Sequence, residues 1–466
     1  MSRASLPPWL VVSGVLIASS FASAGCSDDG AISDLVDAGR ESDAAPPSPV
    51  LVPEFYPADR TLSPLTPYVA DNLRSIAARE GSLRDDVFAK FGADSMVSNN
   101  FMHCLDDGFA NPEPGQEPGD IDLDGRTELV DTIAFFREGD AGSSNPYRRS
   151  SRAARVGMEV AQITAPGPVD ASLFALEMID TYARFAVIAV GENDLPDGDF
   201  DSFGGAFLEL VDLAANVGII PIVTSMAPRA DDPALAAEVA HYNEIVRAVA
   251  QARQVPFIDV YRELAQVPGQ GLGEDGVLLS AYRPGGPDGP AHACAFTAEG
   301  LMHGYNVRNL RTLETLDRLR RAVIDGDPAP DSHARTITGT GSAADPFVID
   351  GLPFTHAADT SAAGTRAVDS YPGCQANQDE SGPELTYRLE LTSPTRIRAM
   401  VIDRGTTDID VHILSGSPDG DACVERAHQL ITADLVPGTY YFNLDTYVGQ
   451  AGELTGEYLF VLTEEP

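Results

Sequence analysis

Two strand ends in this chain carry side chains able to do acyl chemistry. The apolar run FAVIAV, Phe185 to Val190, empties directly into Gly191-Glu192-Asn193-Asp194. In open α/β sheets the residues at the carboxyl ends of strands face the ligand crevice. A side-chain amide placed there can donate to a developing oxyanion, which points to acyl transfer. A second apolar run, Val87 to Phe91, ends in Gly92-Ala93-Asp94-Ser95. A turn after a strand exposes a hydroxyl to the same crevice, where it can act as a nucleophile.

Elements that could position both ends follow from the pattern. Gly218 to Thr224 (GIIPIVT) and Val255 to Val260 (VPFIDV) read as two further strands. Helical patterns separate the strands: Phe203 to Asn216, Pro233 to Arg253 and Arg308 to Ile324. Thr66-Pro67 reads as an N-cap and first-turn proline, followed by Val69, Leu73, Ile76 and Ala77 on one face. Strands interleaved with helices of this length predict a parallel sheet covered on both faces. The Gly-, Pro- and Asp-rich stretch from Asp106 to Ser151 reads mostly as loop. After Asp325 the texture changes to short alternating runs: TYRLEL, RIRAMVID, DIDVHIL, GTYYFNLD and EYLFVL. Turn residues divide them, which predicts a small β-sandwich.

At 466 residues the chain exceeds one ordinary core, so two domains plus extensions are expected. A formal net charge of −39 repels phosphate backbones and argues against nucleic acid as a partner. Arg3, the apolar run Trp9 to Phe21 and the small residues up to Cys26 have the layout of an export signal, too short to favour a membrane span. Ser23-Ala24-Gly25-Cys26 resembles a lipoprotein processing site, with Ser23 where that pattern favours Leu; ordinary cleavage nearby is the alternative. Four cysteines remain, an even number that suggests disulfides in an exported chain. Cys374 and Cys423 share one segment, which leaves Cys104 and Cys294 to cross-link the first domain.

With Gly92-Ala93-Asp94-Ser95, Gly157, Gly191-Glu192-Asn193-Asp194 and Asp275-Gly276-Val277 in this order, residues from Tyr56 to Ile324 resemble the SGNH/GDSL hydrolases. Ala93 is an insertion relative to that family's Gly-Asp-Ser turn. The resemblance implies a flavodoxin-like three-layer α/β domain with Ser95 as nucleophile. It also implies an oxyanion hole from the backbone N–H groups of Ser95 and Gly157 and the Asn193 side chain. The family's base is a histidine three residues after Asp275, where this chain has Leu278. Without an imidazole, a loss of three to four orders of magnitude in rate is expected. His292 is the candidate substitute, because a Cys104–Cys294 bridge would draw its loop toward Ser95. His241 and His303 read as structural, and the resemblance gives His103, close to Ser95 in sequence, no role. No cofactor and no metal site is expected: Asp194, Asp197, Asp199 and Asp201 read as a solvated acidic loop.

The run from Gly339, GTGSAADPFVIDGLPF, with SGPELTYRLEL, DIDVHIL and PGTYYFNLDT, resembles the bacterial pre-peptidase C-terminal (PPC) domains, β-sandwiches appended to secreted hydrolases. Asp403, Asp408 and Asp410 read as alternating acids on its solvent face. The expected organisation is a signal peptide over 1–25, a disordered acidic tether over 26–55, the α/β domain over 56–324, a linker over 325–334 and the sandwich over 335–466. The expected protein is an exported monomer. It is lipid-anchored through Cys26 at the periplasmic face or cell surface, or secreted if unlipidated. Its expected activity is on acyl or acetyl esters of small molecules, glycans or lipids. The competing reading is a surface protein of the same fold that binds such groups without turning them over.

Overall fold

The computed structural model describes residues 52–106, 121–167, 171–376 and 378–465. The signal, Cys26 and nearly all of the tether lie outside them.

The first domain is built on four strands: β1 (Arg84–Gly92), β2 (Ala183–Ala189), β3 (Ile220–Thr224) and β4 (Phe257–Ile258). They lie in the order β1-β2-β3-β4, all parallel, with Phe88 beside Phe185 and Phe185 beside Ile220. Every residue of β2 is buried, so neither face of the strand meets water. That is why its sequence is a continuous apolar run and not an alternating one.

The helices used below are α1 (Pro67–Ala77), α2 (Asp94–Val97), α3 (Val130–Glu138), α4 (Leu173–Thr181), α5 (Phe200–Asn216), α6 (Pro233–Arg253) and α7 (Gly304–Leu319). Thr66 caps α1 by accepting from Val69 N–H, as its spacing predicts. Asp232 caps α6, whose first residue is Pro233. Helix α3 corrects the reading of 106–151 as loop. VDTIAFFRE puts Ile133 and Phe136 on one face, and both are buried. Helix α7 begins at Gly304, one turn earlier than its periodicity predicts, which moves Arg308 from the helix start to its interior.

The second domain is two packed antiparallel sheets. Its strands are β5 (Phe347–Ile349), β6 (Phe354–Asp359), β7 (Glu384–Leu391), β8 (Thr395–Asp403), β9 (Ile409–Ser415), β10 (Cys423–Ala427), β11 (Leu430–Leu435), β12 (Gly438–Thr446), the hairpin pair β13 (Val448–Gly449) and β14 (Gly452–Glu453), and β15 (Glu457–Glu464). One sheet runs β10-β9-β12-β7-β5, the other β11-β8-β15-β6, with only β5–β7 parallel. Cys104–Cys294 and Cys374–Cys423 are both bonded.

The two domains share a sealed seam. On β8 and β15, Val401, Tyr458, Phe460 and Leu462 point into the sandwich core. The intervening Met400, Ile402, Leu459 and Val461 join the core of the α/β domain. Side chains alternate across a strand, so a sheet buried on both faces needs this double apolar pattern. Gly204 of α5 lies so near β8 that an added Cβ would sit 2.9 Å from Ile402. The chain between the domains is strapped down as well. Asp331 accepts from Leu65 N–H (2.8 Å) and Arg60 (3.0 Å) and pairs with Arg318. Among the described residues no helix is long and apolar enough to cross a membrane.

Candidate functional site

The carboxyl ends of β1 and β2 come together at the expected crevice. Gly92 has φ +150°, and a Cβ there would fall 1.8 Å from Ala189 O, so the close approach of the strands demands glycine. Ala93 then turns the chain into α2, which carries Ser95 in its first turn.

Three loops are knitted together around Ser95. Gly157, at φ +73°, donates its N–H to Asp94 Oδ2 (2.9 Å). Asn193 donates through Nδ2 to Met158 O (3.2 Å). Val160 N–H reaches Asp194 Oδ1 (3.2 Å), a carboxyl that burial pushes up to about 6. The loops that carry Ser95, Gly157 and Asn193 are thus bonded to one another, and the Gly157 N–H and the Asn193 amide each have a protein acceptor. An oxyanion would have to displace Asp94 to use the Gly157 N–H, whereas the second N–H of the Asn193 amide is not taken up by Met158 O.

The partner of Ser95 is a guanidinium. Arg308 Nη1 donates to Ser95 Oγ at 2.5 Å, from a helix 213 residues away in sequence. Arg308 is 3 % exposed and Ser95 7 %. Arg308 Nη2 meets Met96 Sδ (3.2 Å), and the guanidinium sits 5.1 Å from the centre of the Phe101 ring. Glu192 stands nearby with Oε2 buried and unpartnered. Burial raises its pKa, and Arg308 opposes the rise.

Asp275 and Leu278 lie on an exposed turn. Asp275 Oδ1 accepts from Val277 N–H (3.0 Å) and Leu278 N–H (2.9 Å), and Leu278 is 40 % exposed. The chain beyond runs along the start of α7: Tyr305 N–H donates to Ser280 O (2.9 Å) and Tyr282 N–H to Asn306 Oδ1 (3.0 Å). The His292 loop is pinned to the loop after Ser95 by the Cys104–Cys294 bridge and by Asn309. That amide bonds Met102 N–H, Asn100 O and Ala293 O. None of the hydrogen bonds among the described residues joins an imidazole to Ser95 Oγ. His303 Nδ1 is 3.2 Å from Ser280 Oγ, and His103 is pushed down to about 3 by burial, with Lys90 and Arg148 adding to the shift. His241 lies in the domain seam, 3.3 Å from Thr463 Oγ1.

Arg308, Asp94 and Glu192 escaped the sequence reading. A signal existed: Tyr305, Arg308, Asn309 and Thr312 recur at helical spacing on one face of α7, all buried.

Among the described residues one group could hold a metal ion: Asp403, Asp408 and His428 bring one ligand atom each within 4.8 Å of one another. These acids are not a solvent face, since Asp410 is 1 % exposed and Asp403 is partly buried. His428 bonds Asp410 (3.3 Å) and pairs with Asp408 (3.2 Å), and its pKa is pushed up to about 9, chiefly by the Asp410 hydrogen bond. The protonated ring itself balances the acids. Asp403, raised to about 7 by burial, adjoins Asp201 of α5 through its backbone N–H (3.0 Å). A histidine whose pKa is raised on folding stabilises fully below its ordinary value of about 6.5. That contribution is lost as pH climbs through about 9. Thermal melts from pH 6.5 to 9.5 should show a falling Tm, and His428→Gln should flatten the fall. An equal slope in both proteins would remove His428 from the account.

No protein-family model matches the chain, and no curated protein matches it. Among solved structures it is similar to a GDSL-like lipase from Bacteroides thetaiotaomicron (16 % identity, 55 % of this chain and 99 % of that one, TM-score 0.27). It is also similar to an acetylxylan esterase from Geobacillus stearothermophilus (15 % identity, 49 % and 94 %, TM-score 0.29). The C-terminal region is similar to the pre-peptidase C-terminal domain of a Bacillus anthracis collagenase (15 % identity, 25 % and 92 %, TM-score 0.17).

Proposed function

We propose that this is an exported, SGNH-like protein whose Ser95 crevice binds acyl groups without appreciable turnover. The observation that carries the reading is the partner of Ser95: a buried arginine donates to its hydroxyl. A guanidinium stays protonated in proteins and cannot serve as general base. Leu278, three residues after Asp275, supplies no base either. The expected ligands are acyl or acetyl esters of glycans or lipids and the acids they release. Two disulfides support export, and anchoring through Cys26 is part of the same proposal.

A second reading, ester hydrolysis with His292 as base and Asp275 orienting it, draws on the pinning of the His292 loop beside the Ser95 loop. Hydrolysis of 4-nitrophenyl acetate and butyrate by the chain from Ser27 onward separates the two. Binding without turnover predicts equal, background rates for the wild type and Ser95→Ala. Turnover lost in both Ser95→Ala and His292→Ala would establish the hydrolase instead.

A further inference from the structure

Arg308 stands out among the arginines of the described residues. Elsewhere in this chain arginines grip carboxylates with the Nε/Nη2 edge of the guanidinium. Arg149 holds Glu177 this way, Arg253 holds Asp212, Arg229 holds Asp231 and Arg311 holds Glu263. Arg308 has the same edge unfilled. Its Nε is buried without a hydrogen-bond partner, and its Nη2 has only the Met96 thioether, a weak acceptor. Among the described residues it forms no ion pair, although it is only 3 % exposed. An unpaired ion in the interior is strongly disfavoured, so a partner that arrives with function is the economical explanation.

Nearby acids do not fill the edge. Asp94 is committed to Gly157 N–H. Glu192 makes no ion pair with Arg308, and burial favours its neutral form. The unfilled Nε/Nη2 edge of the guanidinium leaves room on it for one carboxylate. Met96 is a flexible side chain that can swing away from Nη2.

The exposed residues on the segments that carry these groups include several apolar ones. Val97 (44 % exposed) follows Met96, and Val156 (74 %) adjoins Gly157, which is bonded to Asp94. Met302 (44 %) and Leu278 (40 %) flank the start of α7, from which Arg308 reaches inward. Such side chains around one polar anchor suit a ligand with a hydrocarbon arm.

We propose that the Nε/Nη2 edge of Arg308 receives the carboxylate of an acyl acid, with Met96 displaced and the acyl chain lying over Val97, Val156 and Met302. This rests on the reading of the crevice as an acyl-binding site and names its ligand: the free acid. The bidentate fork explains why an arginine stands there, because a lysine offers only a point charge.

Calorimetric titration of the chain from Ser27 with octanoate, acetate and octanamide tests this. Octanoate should bind. Acetate should be at least about tenfold weaker for want of the chain, and octanamide at least about thirtyfold weaker for want of the charge. Arg308→Gln should weaken octanoate by at least about thirtyfold, and Arg308→Lys should not restore it. If Arg308→Gln does not fold, Val97→Asp at the exposed mouth should still weaken octanoate at least about tenfold by like-charge repulsion. Octanoate binding unchanged in the variants would overturn the proposal. So would octanoate silence while the neutral ester ethyl butyrate binds by ligand-observed NMR, a result that leaves the crevice reading standing. Silence from both ligands would overturn both.

Discussion

Leu278→His should raise 4-nitrophenyl ester hydrolysis at least about a hundredfold over the wild type, the lower end of what a positioned general base contributes. The reasoning begins at the serine. Because Arg308 donates to Ser95 Oγ, the hydroxyl acts as acceptor in that bond and its own proton remains free to be abstracted. The guanidinium would also stabilise the alkoxide as it forms. What the serine lacks is a base. Asp275 makes both of its hydrogen bonds through Oδ1, which leaves Oδ2 to receive an imidazole N–H. Position 278 lies at the head of the segment that runs along the start of α7, the helix that delivers Arg308. Ser95→Ala in the Leu278→His background should return the rate to background. If Leu278→His folds and stays silent, position 278 is not where a base would act, and the account of a base missing at that position is wrong.

The same residues show what a sequence reveals. Buried strands such as FAVIAV and GIIPIVT are legible because covered parallel strands must be apolar along their length, and the structure has them within a few residues of the predicted bounds. Helix α6 is legible end to end, since Asp232 and Pro233 mark its start by local chemistry. Helix α3 is hidden, because the Gly- and Asp-rich flanks outweigh one nine-residue amphipathic stretch. Within the site, strand-end residues are visible as local motifs, whereas the partner of Ser95 comes from far along the chain. Local pattern cannot show that contact. The sealed seam escapes for a related reason: runs such as RIRAMVID read as ordinary sandwich strands, although Met400 and Ile402 serve the other domain.

Replacing Arg253 by Ala should cost about 3–5 kcal/mol of stability, the loss expected when one partner of a buried ionic network is removed. Arg253, at the end of α6, is buried to 4 % side-chain exposure and holds two carboxylates, Asp212 of α5 at 2.5 Å and Glu457 of β15 at 2.6 Å. Both acids are as buried as it is, at 4 % and 6 %. Arg404, from the loop after β8, touches the same two acids at 2.5 and 2.9 Å but keeps 22 % exposure. Two cations therefore balance two anions across the domain seam, and removing Arg253 leaves two buried carboxylates facing a single half-solvated arginine. Arg404→Ala should cost less than half as much, because water can enter where Arg404 already meets it. The seam also bears on the site. Helix α5 carries Asp212 and begins seven residues after Asn193, and its Asp201 receives the β8 backbone N–H of Asp403. A loosened seam should thus free the Asn193 loop as well as the sandwich. Urea unfolding at pH 7 measures the effect. A loss below about 1 kcal/mol for Arg253→Ala, or equal losses for the two arginines, would mean that apolar packing of Ile402, Leu459 and Val461 holds the domains together and the ions merely accompany it.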